Sequence, residues 1–188
     1  MKPFIYLLLK LQAVALLVFG QQAAALRRFN DMLAIAPRNR YVMASRAHLL
    51  GQLGDKSGAI AALQELTTTY PDNSAAWFNL GYTLDDSGCP SEAEAAFRRA
   101  LDVEPKMDRA WYGLALVLIK ERRFDEAIDA LKINTELQPM SPFGWYQLAR
   151  VHVDRQQPDE AQKIIRHLKG FEPKVAAQLE RETGLCIA

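Results

Sequence analysis

The sequence predicts an all-α solenoid built of about five antiparallel helix pairs and closed by a C-terminal capping helix. Proline recurs at a spacing of 34 residues, at Pro37, Pro71, Pro105, Pro139 and Pro173. A fixed period of this length is typical of a helical hairpin that stacks on copies of itself. The apolar residues of each period follow helical spacing, and a turn divides them into two stretches. Each period therefore predicts one hairpin of two helices.

The repeat is clearest between Ser74 and Met107. Apolar and small residues form one stripe on each predicted helix, at Trp77, Leu80, Gly81 and Leu84 on the first and at Ala93, Phe97 and Ala100 on the second. The turn between them contains Gly88 and Pro90, which favour the end of one helix and the start of the next. Ser91, followed by a glutamate three residues later, predicts an N-cap for the second helix.

Two later periods repeat this pattern, and two earlier ones keep its register more weakly. The small residues Gly81, Ala115 and Ala149 recur on the first helix, where we expect two helix backbones to approach closely. The predicted boundaries are 1–39 for a divergent apolar repeat or a signal or anchor segment, 40–73, 74–107, 108–141 and 142–173 for four repeats, and 174–188 for a capping helix and tail.

The motif Trp-x2-Leu-Gly-x2-Tyr, followed by Ala-x3-Phe and Pro, resembles the tetratricopeptide repeat family. The resemblance covers residues 6–175 and is most specific in the last three repeats. It implies a right-handed superhelix that acts as a scaffold for protein or peptide partners, without catalysis. It also implies that the residue after each core position of the first helix lines a concave groove.

The predicted groove residues combine aromatic rings with amide and guanidinium donors, which suit an extended peptide or a partner helix. Packing of the same rings between neighbouring repeats is the alternative interpretation. The predicted partner-binding residues are Tyr41, His48, Phe78, Asn79, Tyr82, Arg109, Tyr112, Phe143, Tyr146, Gln147 and Arg150.

Composition excludes several other functions. The net charge of the 188 residues is +1. This argues against a nucleic-acid partner, because proteins that bind nucleic acid cluster Lys and Arg against its phosphates. Cys89 and Cys186 have neither cysteine nor histidine at metal-ligand spacing and are interpreted as exposed thiols without a special function. No nucleophile motif or phosphate-binding loop is present, so the chain is predicted to be no enzyme and to need no metal or cofactor.

The N-terminal segment allows three interpretations. Residues 4–19 are apolar except for Lys10 and Gln12, too short and too interrupted to favour a spanning helix. Residues 1–25 also resemble a signal peptide, which would place the protein in the periplasm. We prefer the first helix of the first repeat. Since that helix is apolar on all sides, we expect residues 4–19 to dock on a membrane, a larger complex or a second copy.

Two functions follow. The first is a bacterial adaptor or assembly factor, cytoplasmic or at the inner face of the membrane, that binds a protein segment in its groove. The second is a structural accessory subunit, held in a membrane-associated or enzyme complex through its apolar N-terminal helix.

Overall fold

The computed structural model describes residues 2–185, which form eleven α-helices. The predicted all-α fold class is confirmed. The last residues of the predicted tail, Cys186 among them, lie outside the described part. The helices are α1 Lys2–Val18, α2 Gln22–Ile35, α3 Arg40–Gln52, α4 Lys56–Thr69, α5 Ser74–Asp86, α6 Pro90–Val103, α7 Asp108–Lys120, α8 Phe124–Leu137, α9 Pro142–Asp154, α10 Pro158–Lys169 and α11 Pro173–Thr183.

The helices group into two compact units. The first unit ends at Val103 and contains the hairpins α1/α2, α3/α4 and α5/α6, with α2 packed on α3 and α4 packed on α5. The second unit begins at Glu104 and contains the hairpins α7/α8 and α9/α10, with α8 packed on α9. Helix α11 closes the second unit by packing against both α9 and α10.

Two kinds of residue start several of the helices. The side chains of Asn39, Asp55 and Asn73 each accept a hydrogen bond from the backbone N–H three residues later and so cap α3, α4 and α5. Helix α6 instead begins directly at Pro90. The predicted N-cap at Ser91 is therefore wrong, because the fixed φ and missing N–H of proline suit the first helical position and place Ser91 inside the first turn.

Each hairpin turn contains one residue with a left-handed backbone. These residues recur at the same spacing of 34 as the prolines. Gly20, Gly54 and Gly88 have φ of +70°, +80° and +79°, and Arg122 and Gln156 have φ of +60° and +59°. Glycine adopts this conformation at little cost, whereas other residues are strained by it. The geometry of the turn is thus kept in the second unit without the residue that favours it.

The small residue at position 81 makes room for a side chain. A Cβ atom built on Gly81 would lie 2.8 Å from Cδ1 of Phe97, and its nearest neighbours are all atoms of that ring. The expected close approach of two backbones is therefore replaced here by an approach between the α5 backbone and a buried ring.

The three repeat tryptophans share a structural hydrogen bond. Each is half-buried, and its indole Nε1–H donates to the carbonyl oxygen of the repeat proline six residues earlier. The bonds join Trp77 to Pro71 at 2.9 Å, Trp111 to Pro105 at 2.8 Å and Trp145 to Pro139 at 2.9 Å. The tryptophan and proline of the motif thus fix the loop that enters each first helix.

The two ends of the chain differ in character. Helix α11 buries Ala176 and Leu179 and stops at Gly184, whose φ is +70°, as predicted for a capping helix. Helix α1 buries Leu9 and Ala13 in its hairpin with α2 but leaves most of its other apolar side chains exposed. Over residues 2–185, no helix combines the length and the hydropathy needed to cross a membrane.

Candidate functional site

A groove of about 520 Å³ lies in the first unit between helices α3, α4 and α5. Its floor is apolar and comes from the buried faces of all three helices. The floor residues are Ala47, Ala59, Leu63, Leu66 and Ala76. Its walls carry polar groups, which are His48, Gln52, Lys56, Asn73, Asn79, Tyr82, Thr83 and Asp86. An apolar floor within a polar rim is the usual character of a site that holds a ligand side chain and fixes its backbone.

The groove exists because the exposed face of α3 carries small residues. Ala44 and Gly51 both line the groove and are exposed, and a Cβ built on Gly51 would meet nothing within 4 Å. On the opposite wall, α5 presents the larger rings of Phe78 and Tyr82. Larger side chains at these positions of α3 would therefore fill the groove in front of the two rings.

Four of the five predicted binding residues of the first unit line this groove. They are His48, Phe78, Asn79 and Tyr82. Tyr41 is not among the lining residues; its ring is exposed and has the Nζ atom of Lys10 at 6.0 Å from its centroid.

Phe78 combines the two roles considered for the aromatic stripe. Its ring lines the groove, and its centroid lies 5.9 Å from that of Phe97 in a tilted arrangement. Tyr82 differs because its side chain is 64% exposed. Removal of the Phe78 ring would therefore disturb the core, whereas removal of the Tyr82 ring would change only the groove.

An exposed ion pair belongs to the polar wall of the groove. Lys56 Nζ lies 2.7 Å from Asp86 Oδ2 and donates a hydrogen bond of 2.9 Å to the backbone carbonyl of Asp86. Both side chains are about half-exposed, so solvent screens the pair and it adds little stability. A partner could displace it at small cost.

The predicted residues of the second unit lie on α7 and α9. Arg109, Phe143 and Arg150 are exposed, and Tyr112, Tyr146 and Gln147 are half-buried. The capping helix reaches this surface: the Tyr146 hydroxyl donates to Oε2 of Glu182 at 2.5 Å, and Arg150 Nη1 lies 3.9 Å from the same oxygen. The guanidinium of Arg150 also lies 5.9 Å from the centroid of the Tyr146 ring.

Hydrogen bonding at this contact shifts two pKa values. The hydrogen bonds from Tyr146 and then from Gln178 hold the pKa of the Glu182 carboxyl below its ordinary value. The hydrogen bond with Tyr146 raises the pKa of Arg150. Because α11 is distant from Tyr146 in sequence, the sequence pattern gave no signal that Glu182 occupies part of this surface. A ligand at Tyr146 and Arg150 would first have to displace it.

The described residues show no feature of a metal centre. Residues 2–185 contain no group of three or more His, Cys, Asp or Glu side chains placed to hold a metal ion. Cys89 carries a free thiol and is half-buried, not exposed as predicted.

Successive helical hairpins that share one turn geometry define a helical repeat protein. A family model for the tetratricopeptide repeat matches residues 45–88 and 83–133. The chain is accordingly a protein with tetratricopeptide repeats, and the resemblance drawn from the sequence motif is confirmed. No curated protein matches the chain by sequence.

Solved structures share this fold over nearly the whole chain. A crystal structure of MamA protein is 18% identical, with a TM-score of 0.84, and covers 98% of this chain and 98% of its own. YrrB, described as a TPR protein with an unusual peptide-binding site, is 16% identical, with a TM-score of 0.77 and coverage of 90% and 88%. PilW, described as a type IV pilus biogenesis factor, is 19% identical, with a TM-score of 0.74 and coverage of 97% and 87%. At these identities the likeness establishes the fold alone.

Proposed function

We propose that this protein is a non-enzymatic bacterial adaptor or assembly factor that binds a segment of a partner protein in the groove of its first unit. The observation that carries the proposal is the groove of about 520 Å³ with an apolar floor and an amide and hydroxyl rim. An apolar anchor of the partner would occupy the floor. The rim, which includes the exposed Asn79 and Tyr82, would hydrogen-bond its backbone.

The comparisons support a protein partner through the scaffold role of the repeat fold. YrrB is described as having a peptide-binding site, and PilW is described as a biogenesis factor. The net charge of +1 favours a protein over a nucleic acid as the partner. We place the protein in the cytoplasm, at the inner face of the membrane.

The test uses peptides selected from a random library on the full-length protein, with affinities measured by fluorescence anisotropy. Ala44→Leu fills the groove from an exposed position of α3, and Tyr82→Ala removes an exposed wall. We expect each change to weaken binding about tenfold or more, which corresponds to about 1.4 kcal/mol.

Tyr41→Ala is the matched control, because Tyr41 is an exposed tyrosine on a first helix that does not line the groove. It should leave the affinity unchanged. Selected peptides that bind wild type and Ala44→Leu equally well would exclude the groove as the binding site.

A second candidate function is that of a structural accessory subunit of a larger assembly. The exposed apolar side chains of α1 favour it, since an isolated protein seldom exposes so many together. Co-purification of the intact full-length chain in a stoichiometric complex would support this role, and a substoichiometric partner would favour the adaptor.

A further inference from the structure

Helix α1 has an outward face made only of apolar side chains. Leu9 and Ala13 fix the opposite face against the rest of the first unit. At 100° per residue, the outward arc of about 120° holds Phe4, Leu7, Leu8, Leu11, Val14, Ala15 and Val18, without a polar residue among them. All of these side chains are exposed. The face is therefore a continuous apolar surface along the length of the helix.

The size of this face exceeds what a free surface ordinarily shows. Phe4, Leu11 and Val18 are 72%, 60% and 77% exposed, and Phe19, just beyond the helix, is 78% exposed. Together the exposed apolar side chains present roughly 800 Å², above the few hundred Å² typical of the surface of a monomer. A surface of this size is expected to be buried against a partner molecule or a membrane.

The charge distribution indicates which kind of surface buries this face. Residues 1–40 contain six Lys and Arg against one Asp, a net charge of +5, so the remaining 148 residues carry −4 of the total of +1. Lys10 lies at the border of the apolar face, and Arg27 and Arg38 are exposed nearby in the sequence. A symmetric contact between two copies would bring two such basic ends together. A surface of opposite charge would instead be attracted to both the cations and the apolar face.

We propose that α1 lies in the plane of an anionic lipid bilayer, with its apolar face at the boundary between headgroups and acyl chains and with Lys10, Arg27 and Arg38 attracted to the lipid phosphates. The 17 residues of α1 span about 25 Å, shorter than the hydrocarbon core of about 30 Å. Its inner face is already occupied by the first unit. An apolar helix next to a polybasic segment is the combination that holds a protein on an anionic membrane surface.

The test is flotation of the full-length protein with vesicles of phosphatidylcholine alone and of phosphatidylcholine with about one third phosphatidylglycerol. We expect binding to the anionic vesicles that weakens in high salt. Leu11→Glu should reduce it at least about tenfold, because a carboxylate would enter the lipid boundary. Arg27→Gln with Arg38→Gln should also reduce it about 25-fold, at about fivefold for each arginine.

Met140→Glu is the matched control, since it makes the same charge change at a 68% exposed apolar residue of the second unit. It should leave flotation unchanged. Helical circular dichroism and the melting temperature establish that each variant is folded, and Phe4→Gln replaces Leu11→Glu if that variant unfolds.

Three results would overturn the inference. They are absence of the wild-type protein from the anionic vesicles, equal binding to the uncharged vesicles, and a wild-type dimer in light scattering that Leu11→Glu converts to a monomer. The last would identify a second copy as the cover. Peptide binding in the groove is independent of all three, so the two proposals fail separately.

Discussion

The contact between Gly81 and Phe97 gives the sharpest test of how the repeat packs. In Gly81→Ala, a methyl group would lie 2.8 Å from the Phe97 ring, which is 2% exposed and packs against Phe78. Alanine in place of glycine inside a helix gains about 1 kcal/mol of stability. Overpacking of a buried contact costs about 1–3 kcal/mol. We therefore expect a net destabilisation of about 1 kcal/mol.

The effect of Gly81→Ala on stability should change from destabilising to stabilising when the Phe97 ring is replaced. The corresponding positions of the second unit hold Ala115 with Leu131 and Ala149 with Ile165, all buried. In a Phe97→Leu background the added methyl group has a smaller neighbour, so Gly81→Ala should stabilise by about 0.5–1 kcal/mol. The coupling free energy between the two substitutions should be about 1.5–2 kcal/mol in favour of the double variant.

Urea denaturation of the four proteins, followed by circular dichroism, measures this cycle. The slope of the unfolding free energy against urea should stay constant, so that the midpoints report stability alone. The reasoning is refuted if Gly81→Ala has the same effect in both backgrounds, or if it stabilises the protein while Phe97 is present.

Three further predictions concern a turn, a cap and a titrating contact. Gly54→Ala should destabilise the protein by about 1 kcal/mol, because the φ of Gly54 is +80°. Gly51 is helical and has nothing within 4 Å of an added Cβ, so Gly51→Ala should stabilise the protein by about 0.5–1 kcal/mol. Denaturation midpoints that move in the same direction for the two variants would contradict this. Asn73→Ala removes the cap of α5 and should cost about 1 kcal/mol by the same measurement, with Asn39→Ala as the comparable loss at α3. The pKa of Glu182 is lowered in the folded state, so its contribution is present at neutral pH and is lost as the pH falls through that lowered value. Carboxyl titration by NMR should show the pKa rising in Tyr146→Phe, and an unchanged pKa would exclude the hydrogen bond as the main cause.

The features predicted correctly from the sequence are those set by local patterns. The spacing of apolar residues determines the helices, and Gly88 and Pro90 mark where α5 ends and α6 begins. The error at Ser91 arose at the same turn, where two local start signals competed and proline took the first helical position. The pattern also predicted four residues that the structure brings together in one groove, because the residues of one helix stripe stay on one face.

The sequence by itself determined the repeat period, the all-α class, the capping helix and the apolar character of α1, since each is written in the spacing of residues within one helix or turn. Only the tertiary structure decided what faces these stripes. In the tertiary structure, Gly81 contacts the Phe97 ring, Ala44 lines an open groove, and the Tyr146 hydroxyl hydrogen-bonds Glu182. These contacts join side chains from different helices, and their distances depend on how the hairpins stack, which no single stretch of sequence specifies.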